Sequence, residues 1–404
     1  MHAAPEVRVE LAMESGPTTI RPNRSFGDIR EYMRRHGATS VVVTTPDGRL
    51  IGVVERKDIE RCLTPAVQPH QDRYRAQHGA PRVAIGYKLS CEEHSPSDLV
   101  RYARQAEDAG FTFAMLSDHY HPWIAQQGQS PFVWSVIGGI AHATERLQVG
   151  TGVTCPLIRI HPAVVAQAAA TAAALLPGRF VLGVGTGESL NEHIFGDYWP
   201  SSATRRAMLE EAVAVIRLLW QGGLRSHKGQ YYMVENAQLY TLPELLPPVL
   251  IAASGTHAAH LAGRIGDGLI TVGIHAKLVD RFLAAGGAGK PRYTELNVCW
   301  APEEAAARRL AHARWPIAGL QGAFLSDLRL PSHFAQATSA ITEEEIVKTV
   351  ICGPDPARHI AAITQAAEVG YTHVWVHQIG PDQEGFCQFY AREVLPKFRQ
   401  SPQD

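Results

Sequence analysis

The stretch PGRFVLGVGTGESLNE, residues 177–192, decides between two folds. An apolar run leads into Gly183-Val184-Gly185-Thr186-Gly187-Glu188, which at first sight matches the GxGxxG turn of a dinucleotide-binding sheet. That turn needs three glycines at fixed places, so that backbone can approach a pyrophosphate and a helix can pack on the strand. Here the third glycine comes one place early, at Gly187, and Glu188 stands where it belongs. No acid follows a second strand to hold a ribose. The segment therefore reads as one strand among several whose ends jointly carry a site.

Strand-like runs recur to either side of it. They are VAIGYK (83–88), TFAMLSD (112–118), LQVGTGV (147–153), PPVLIAASG (247–255), GDGLITVG (266–273), ELNVCW (295–300) and THVWVHQIG (372–380). Helical segments such as SDLVRYARQAEDAG (97–110), PFVWSVIGGIAHAT (131–144) and PAVVAQAAATAAALL (162–176) separate them. Near-continuous apolar strands alternating with helices specify a parallel sheet. Eight such units close into a (β/α)8 barrel, with the active site at the C-terminal strand ends. A doubly wound sheet is the weaker reading, because polar residues recur at strand ends along the whole segment.

The pattern changes upstream. PAVQPHQDRYRAQHGAP (65–81) is rich in proline, glutamine and charge without apolar periodicity, which marks a connector. The division is a small module over 1–66, a linker over 67–81 and the barrel over 82–404. In the module, TTI (18–20) reads as a strand and SFGDIREYMRRHG (25–37) as a helix. Ser25 is placed to cap that helix, Ile29, Tyr32 and Met33 form its apolar stripe, and Gly37 stops it. Then SVVVTTPDGRLIGVVERKDI is two β-branched runs around a Pro-Asp-Gly turn, entering another helix.

Composition excludes several classes. Acidic and basic residues nearly cancel, to a formal charge of −1, so no basic excess invites nucleic acid or an anionic membrane. The six cysteines (Cys62, Cys91, Cys155, Cys299, Cys352, Cys387) show no CxxC pair, which suits reduced thiols in a cytoplasmic protein. No apolar run approaches the roughly 20 residues of a spanning helix, and the first residues lack a signal-peptide pattern.

Polar groups gather at the strand ends. Asp118-His119-Tyr120-His121-Pro122-Trp123 ends the second, Gly150 to Thr154 the third, Gly183 to Glu188 the fourth with Asn191 and Glu192 beyond, and Ala252 to Gly255 the fifth. Small residues at three of these ends leave a flat opening that a planar ring can approach closely. The His119-x-His121 spacing suggests a metal, but no third ligand is identifiable, and none is expected.

The motifs IGYKLSCEE (85–93), SDHYHPW (117–123), GTGVTCPLIRIHPAVVAQAAAT (150–171), PGRFVLGVGTGESLNE (177–192) and LIAASGTHAAHLAGRIGDGLIT (250–271) together carry a resemblance. Residues 83–400 resemble the coenzyme F420-dependent branch of the luciferase-like barrel oxidoreductases, above all its glucose-6-phosphate and secondary-alcohol dehydrogenases. The resemblance implies a (β/α)8 barrel of the luciferase-like type, F420 as cofactor and a tendency to form homodimers. It assigns His119 as the active-site histidine, Trp123 as the wall beside the reacting centre and Glu188 as general acid. It places a nonproline cis peptide at Gly152-Val153 behind the deazaflavin. Asp118, Thr151, Gly187, Asn191 and Ala253-Ser254-Gly255-Thr256 fall on cofactor-lining positions, and Glu92 and His121 on the substrate pocket. The module resembles a single CBS motif, in which Asp58 matches a ribose-holding acid. Glu55 stands where a Ser or Thr is usual, so a dimerisation or packing role is expected ahead of adenine-nucleotide binding. A paired module would need a second chain.

The chemistry suits these residue types. Removing a hydride from an alcohol carbon requires a base for the hydroxyl proton, and histidine, with an ordinary pKa of about 6.5, serves at neutral pH. A carboxyl group beside the ring that receives the hydride can supply a proton or hydrogen bond, and an indole excludes water. The phosphate-gripping cations of the glucose-6-phosphate enzymes fall here on His275, near Leu325 and on Thr349. Charge-assisted contacts of that kind contribute about 1.5–3 kcal/mol each. With Trp300 and Phe324 nearby, the expected substrate is a less charged alcohol or carbonyl compound, and glucose 6-phosphate a poor one. The alternatives are a reductase of an imine or activated alkene using reduced F420, an FMN-dependent monooxygenase, or a nucleotide sensor with an inactive barrel.

Overall fold

The computed structural model describes residues 19–20, 26–45, 49–57, 59, 83–320, 322 and 324–398. The chain divides into two compact units, 1–69 and 70–404. Ser25, Asp58, Cys62 and the proposed linker lie outside the described residues.

In the first unit, β1 (Thr19–Ile20) pairs in parallel with β2 (Ser40–Thr44), which pairs antiparallel with β3 (Leu50–Glu55). The helix Phe26–His36 buries Ile29 and Met33 against Val41 and Ile59, and Gly37 ends it at φ 64°. This is the expected strand–helix–hairpin order.

The second unit is an eight-stranded closed parallel barrel. Its strands are β4 (Ala84–Leu89), β5 (Phe113–Leu116), β6 (Gln148–Thr151), β7 (Phe180–Val184) and, after an antiparallel hairpin β8 (Arg225–Lys228) and β9 (Met233–Ala237), β10 (Val249–Ala252), β11 (Gly268–Val272), β12 (Arg292–Cys299) and β14 (His373–Gln378). A short strand, β13 (Val350–Cys352), pairs beside the end of β12. Closure comes from the β11–β12 and β14–β4 pairings.

Two layers of apolar side chains result from the two-residue period of each strand. Phe113, Met115, Val181, Leu250, Ile270, Tyr293 and Trp375 fill the barrel interior. The opposite faces pack under the surrounding helices, which begin and end as their sequences dictate. Ser95 caps Pro96–Ala109 by accepting from Asp98 N–H, and Gly110 closes it at φ 98°. Asp355 and Gly370 do the same for Pro356–Val369.

Between β12 and β13 the chain builds a cap, in which Trp315, Phe334 and Ile346 pack with Ile124, Leu190 and Ile379. Trp123 meets Phe334 edge-on at 5.2 Å, so the cap packs against the strand-end loop that carries His119. Among the described residues no helix is long and apolar enough to cross a membrane.

Candidate active site

The loop after β5 is held in place from behind. Asp118 accepts from Thr154 Oγ1 at 2.7 Å and pairs with Arg159 at 2.7 Å, all of it buried. Arg159 also lies 3.6 Å from Glu192, whose carboxylate accepts the backbone N–H of Arg159 at 2.8 Å. Both oxygens of Asp118 are thus engaged by protein, and its part in the site is to anchor this loop. Asn191 Oδ1 accepts the N–H groups of Tyr120 (2.9 Å) and His121 (3.2 Å), while its amide donates to Glu188 at 3.3 Å. Asn191 therefore ties the loops after β5 and β7 together.

His119 is buried, and its Nδ1 lies 3.1 Å from the carbonyl of His121. A carbonyl only accepts, so Nδ1 carries the proton and Nε2 is the basic position. Glu92 Oε1 stands 3.6 Å from that Nε2, and the Trp123 ring packs 4.9 Å from the imidazole. Glu92 accepts from the hydroxyls of Ser90 and Ser117. Burial alone would raise this carboxyl, but His119, Lys88 and the Ser117 hydroxyl outweigh it and hold Glu92 at about 2.

Opposite, the floor is glycine and alanine. The Gly152–Val153 peptide is cis, as the resemblance implies. Thr151 is buried and bonds Gly183 through its hydroxyl in both directions. A β-carbon at Gly185 would stand 2.8 Å from Val153 Cγ2, and one at Gly187 2.5 Å from Cys155 Sγ, so neither position has room for a side chain. Ala253 is buried, while Ser254 is exposed in front of the helix Thr256–Ile265. No side chain caps that helix, so its first N–H groups face outward from Gly255 and Thr256 and suit an anionic oxygen.

Three expected pocket residues lie elsewhere or have their polar atoms engaged. Trp300 stacks on Phe389 at 5.8 Å and fills the space over Gly385 in the helix layer, away from His119. His275 is exposed, with Nε2 bonded to the Val272 carbonyl. His121 Nδ1 bonds the Leu190 carbonyl, and the ring stacks on His193 at 5.6 Å. Among the described residues no three His, Cys, Asp or Glu side chains gather as a metal site.

The sequence reading passed over a second polar layer inside the barrel. Lys88 pairs with Glu295 at 3.1 Å, Trp375 donates to Glu295, and His377 bridges Asn297 and Glu93. Trp315 of the cap covers His377 at 4.3 Å. The signal was there in the alternation: Glu295 and Asn297 share a strand face with inward Tyr293, as His377 does with inward Trp375.

The family model described as luciferase-like monooxygenase matches residues 71–373, and that of the CBS domain residues 7–64. An F420-dependent glucose-6-phosphate dehydrogenase of Beutenbergia cavernae is 38% identical over 327 residues, 78% of this chain and 97% of that protein. One from Microbacterium testaceum is 36% identical over the same shares. Among solved structures, an F420-dependent secondary alcohol dehydrogenase in complex with an F420-acetone adduct superposes with a TM-score of 0.73 at 29% identity, over 79% of this chain and 99% of that one.

Proposed function

We propose, from the premise that the chain belongs to the luciferase-like family, that this F420-dependent oxidoreductase transfers a hydride between the deazaflavin and an alcohol or carbonyl compound other than glucose 6-phosphate. The observation that carries the reading is the tautomer of His119. With Nδ1 tied to the His121 carbonyl, Nε2 is free to accept a hydroxyl proton, and Glu92 stands ready to stabilise the imidazolium.

The residues present fit the cofactor. The small-residue wall of Thr151, Gly152, Val153 and Gly187 would let a planar ring approach closely, and the uncapped helix that begins at Thr256, after Ala253, Ser254 and Gly255, suits a phosphate. When bound, F420 supplies a carbon that accepts or gives a hydride. Glu188, positioned by Asn191, is placed to exchange a proton at the wall's edge, and Trp123 keeps water from His119.

Three observations speak against sugar phosphate. Thr349 spends its hydroxyl on the carbonyls of Ala318 and Ile346, His275 bonds Val272, and Leu325 packs against the cap's apolar core. None of the three supplies a fixed cation. The chain works as a homodimer in this reading, through the apolar groove between the helices Val133–Ala143 and Pro162–Leu175.

A screen of alcohols with oxidised F420, and of carbonyls with the reduced form, read by deazaflavin absorbance, tests this. Turnover of an unphosphorylated alcohol or ketone with little on glucose 6-phosphate is expected. Efficient glucose 6-phosphate oxidation, or response to FMN alone, would sink it.

A further inference from the structure

Two adjacent glutamates follow β4, the side chains of both buried, and they face different partners. Glu92 looks to His119. Glu93 Oε2 lies 3.0 Å from Nε2 of His377, a ring with no exposure. The other nitrogen of that ring, Nδ1, lies 3.1 Å from Asn297 Oδ1. An amide oxygen only accepts, so Nδ1 carries the ring proton, and in the neutral ring Nε2 is a lone pair. The contact to Glu93 then needs its proton on the carboxyl.

The charged alternative, imidazolium against carboxylate, is disfavoured from every side. Burial pushes His377 well below the usual histidine value, and Lys88 and His94 push the same way. Burial and the Glu92 carboxylate push Glu93 up to about 8, against weaker opposition from Ser90, Lys88 and the Gly380 N–H. From β12, Glu295 comes within 4.0 Å of His377, but its charge is matched by Lys88 at 3.1 Å. From the cap, Trp315 offers only its ring edge-on to His377. Lys88 is shared between Glu295 and Glu92, so the layer already holds two carboxylates against one lysine and has no cation left for an ionised Glu93.

We infer that Glu93 is a positioning residue: a neutral acid that donates to His377 and so leaves Glu92 as the one charged member of this glutamate pair behind His119. When Glu93 loses its proton, a second negative charge joins Glu92 in the buried layer behind His119. The inference touches the proposed function only through His119, and its test needs neither substrate nor deazaflavin.

Infrared spectra of the full chain below neutral pH should show a protonated carboxyl carbonyl band that is lost in Glu93→Gln and retained in Glu92→Gln. The glutamine amide can still donate to His377, so this variant keeps the packing. In proton–nitrogen spectra, the His377 ring of the native chain should stay neutral with its proton on Nδ1, and Glu93→Gln should leave that tautomer unchanged. Glu93→Ala, which leaves His377 without a donor, should lower Tm where Glu93→Gln does not. An unchanged carboxyl band in Glu93→Gln, or a His377 ring protonated on both nitrogens below neutral pH, overturns the inference.

Discussion

His119 differs from an ordinary packed histidine in three fixed contacts: a carbonyl on Nδ1, a carboxylate facing Nε2 and an indole at its side. A general base contributes roughly 10²–10⁴-fold. His119→Asn should therefore lower kcat by that order with any accepted alcohol while leaving F420 affinity nearly intact, which steady-state kinetics and a binding titration check together. The two neighbouring glutamates should have opposite effects on stability. Glu92 is held at about 2 against an ordinary 4.5, so its contribution is present above 4.5 and lost as pH falls from there toward 2. Glu93, raised to about 8, keeps its proton when folded, so its contribution is present below 4.5 and lost as pH rises from there through 8. Tm followed across pH should show Glu92→Gln flattening the acid fall and Glu93→Gln flattening the decline toward alkaline pH. The His119 loop was legible because its residues are contiguous. Glu93 and His377 were not, because 284 positions separate them and only closure of β14 onto β4 brings them together.

At the scale of elements, the strands were legible from their apolar runs, and the glycines at their ends record how closely the strands and their ends must approach. A β-carbon on Gly183 of β7 would stand 2.0 Å from the Thr151 carbonyl oxygen of β6. The obstacle is backbone, and the Thr151 hydroxyl already donates to the Gly183 carbonyl and accepts the Gly183 N–H, so nothing nearby can give way. Gly183→Ala should spoil the β6–β7 pairing and leave little folded protein, as far-ultraviolet circular dichroism would show. At Gly86 of β4 the obstacle is the Phe113 ring, 2.4 Å away, a side chain wedged against Tyr293. Gly86→Ala should fold but lose about 1–3 kcal/mol, the usual cost of overpacking, read by denaturant titration. Breaking the buried Asp118–Arg159 pair by Asp118→Ala should cost about 3–5 kcal/mol, because Arg159 keeps its charge without its nearer partner. The misplacement of Trp300 belongs to this scale too. The residue follows β12 directly, but the turn there sends its ring outward onto Phe389, and Trp315, fifteen residues on, covers the barrel instead. No periodicity in that irregular cap announces the exchange.

At the scale of the whole molecule, one helix is apolar on two sides. Pro162–Leu175 buries Val165, Ala166, Ala169, Ala170, Ala172 and Ala173 against the barrel, as any covering helix would. Its opposite face still presents Val164 and Leu175, 54% and 42% exposed, with Ala168, Gln167 and Thr171 between them and Phe132 alongside at 54%. A surface helix should be polar on that side, and one that is apolar all round is normally covered. No charged residue lines the groove, so nothing there selects a charged partner. A face that is uncharged and mostly apolar suits its own copy across a two-fold axis. Val164→Arg on that face should convert a dimer to a monomer in light scattering and leave the barrel's circular dichroism unchanged. A chain that is monomeric before the substitution would refute the homodimer. Two chains would also give the particle two CBS-like modules, the number in which such modules bind nucleotide. The native chain and its Val164→Arg variant should then give the same thermal response to adenine nucleotides if the module only packs. A melting shift confined to the dimer would make it a sensor.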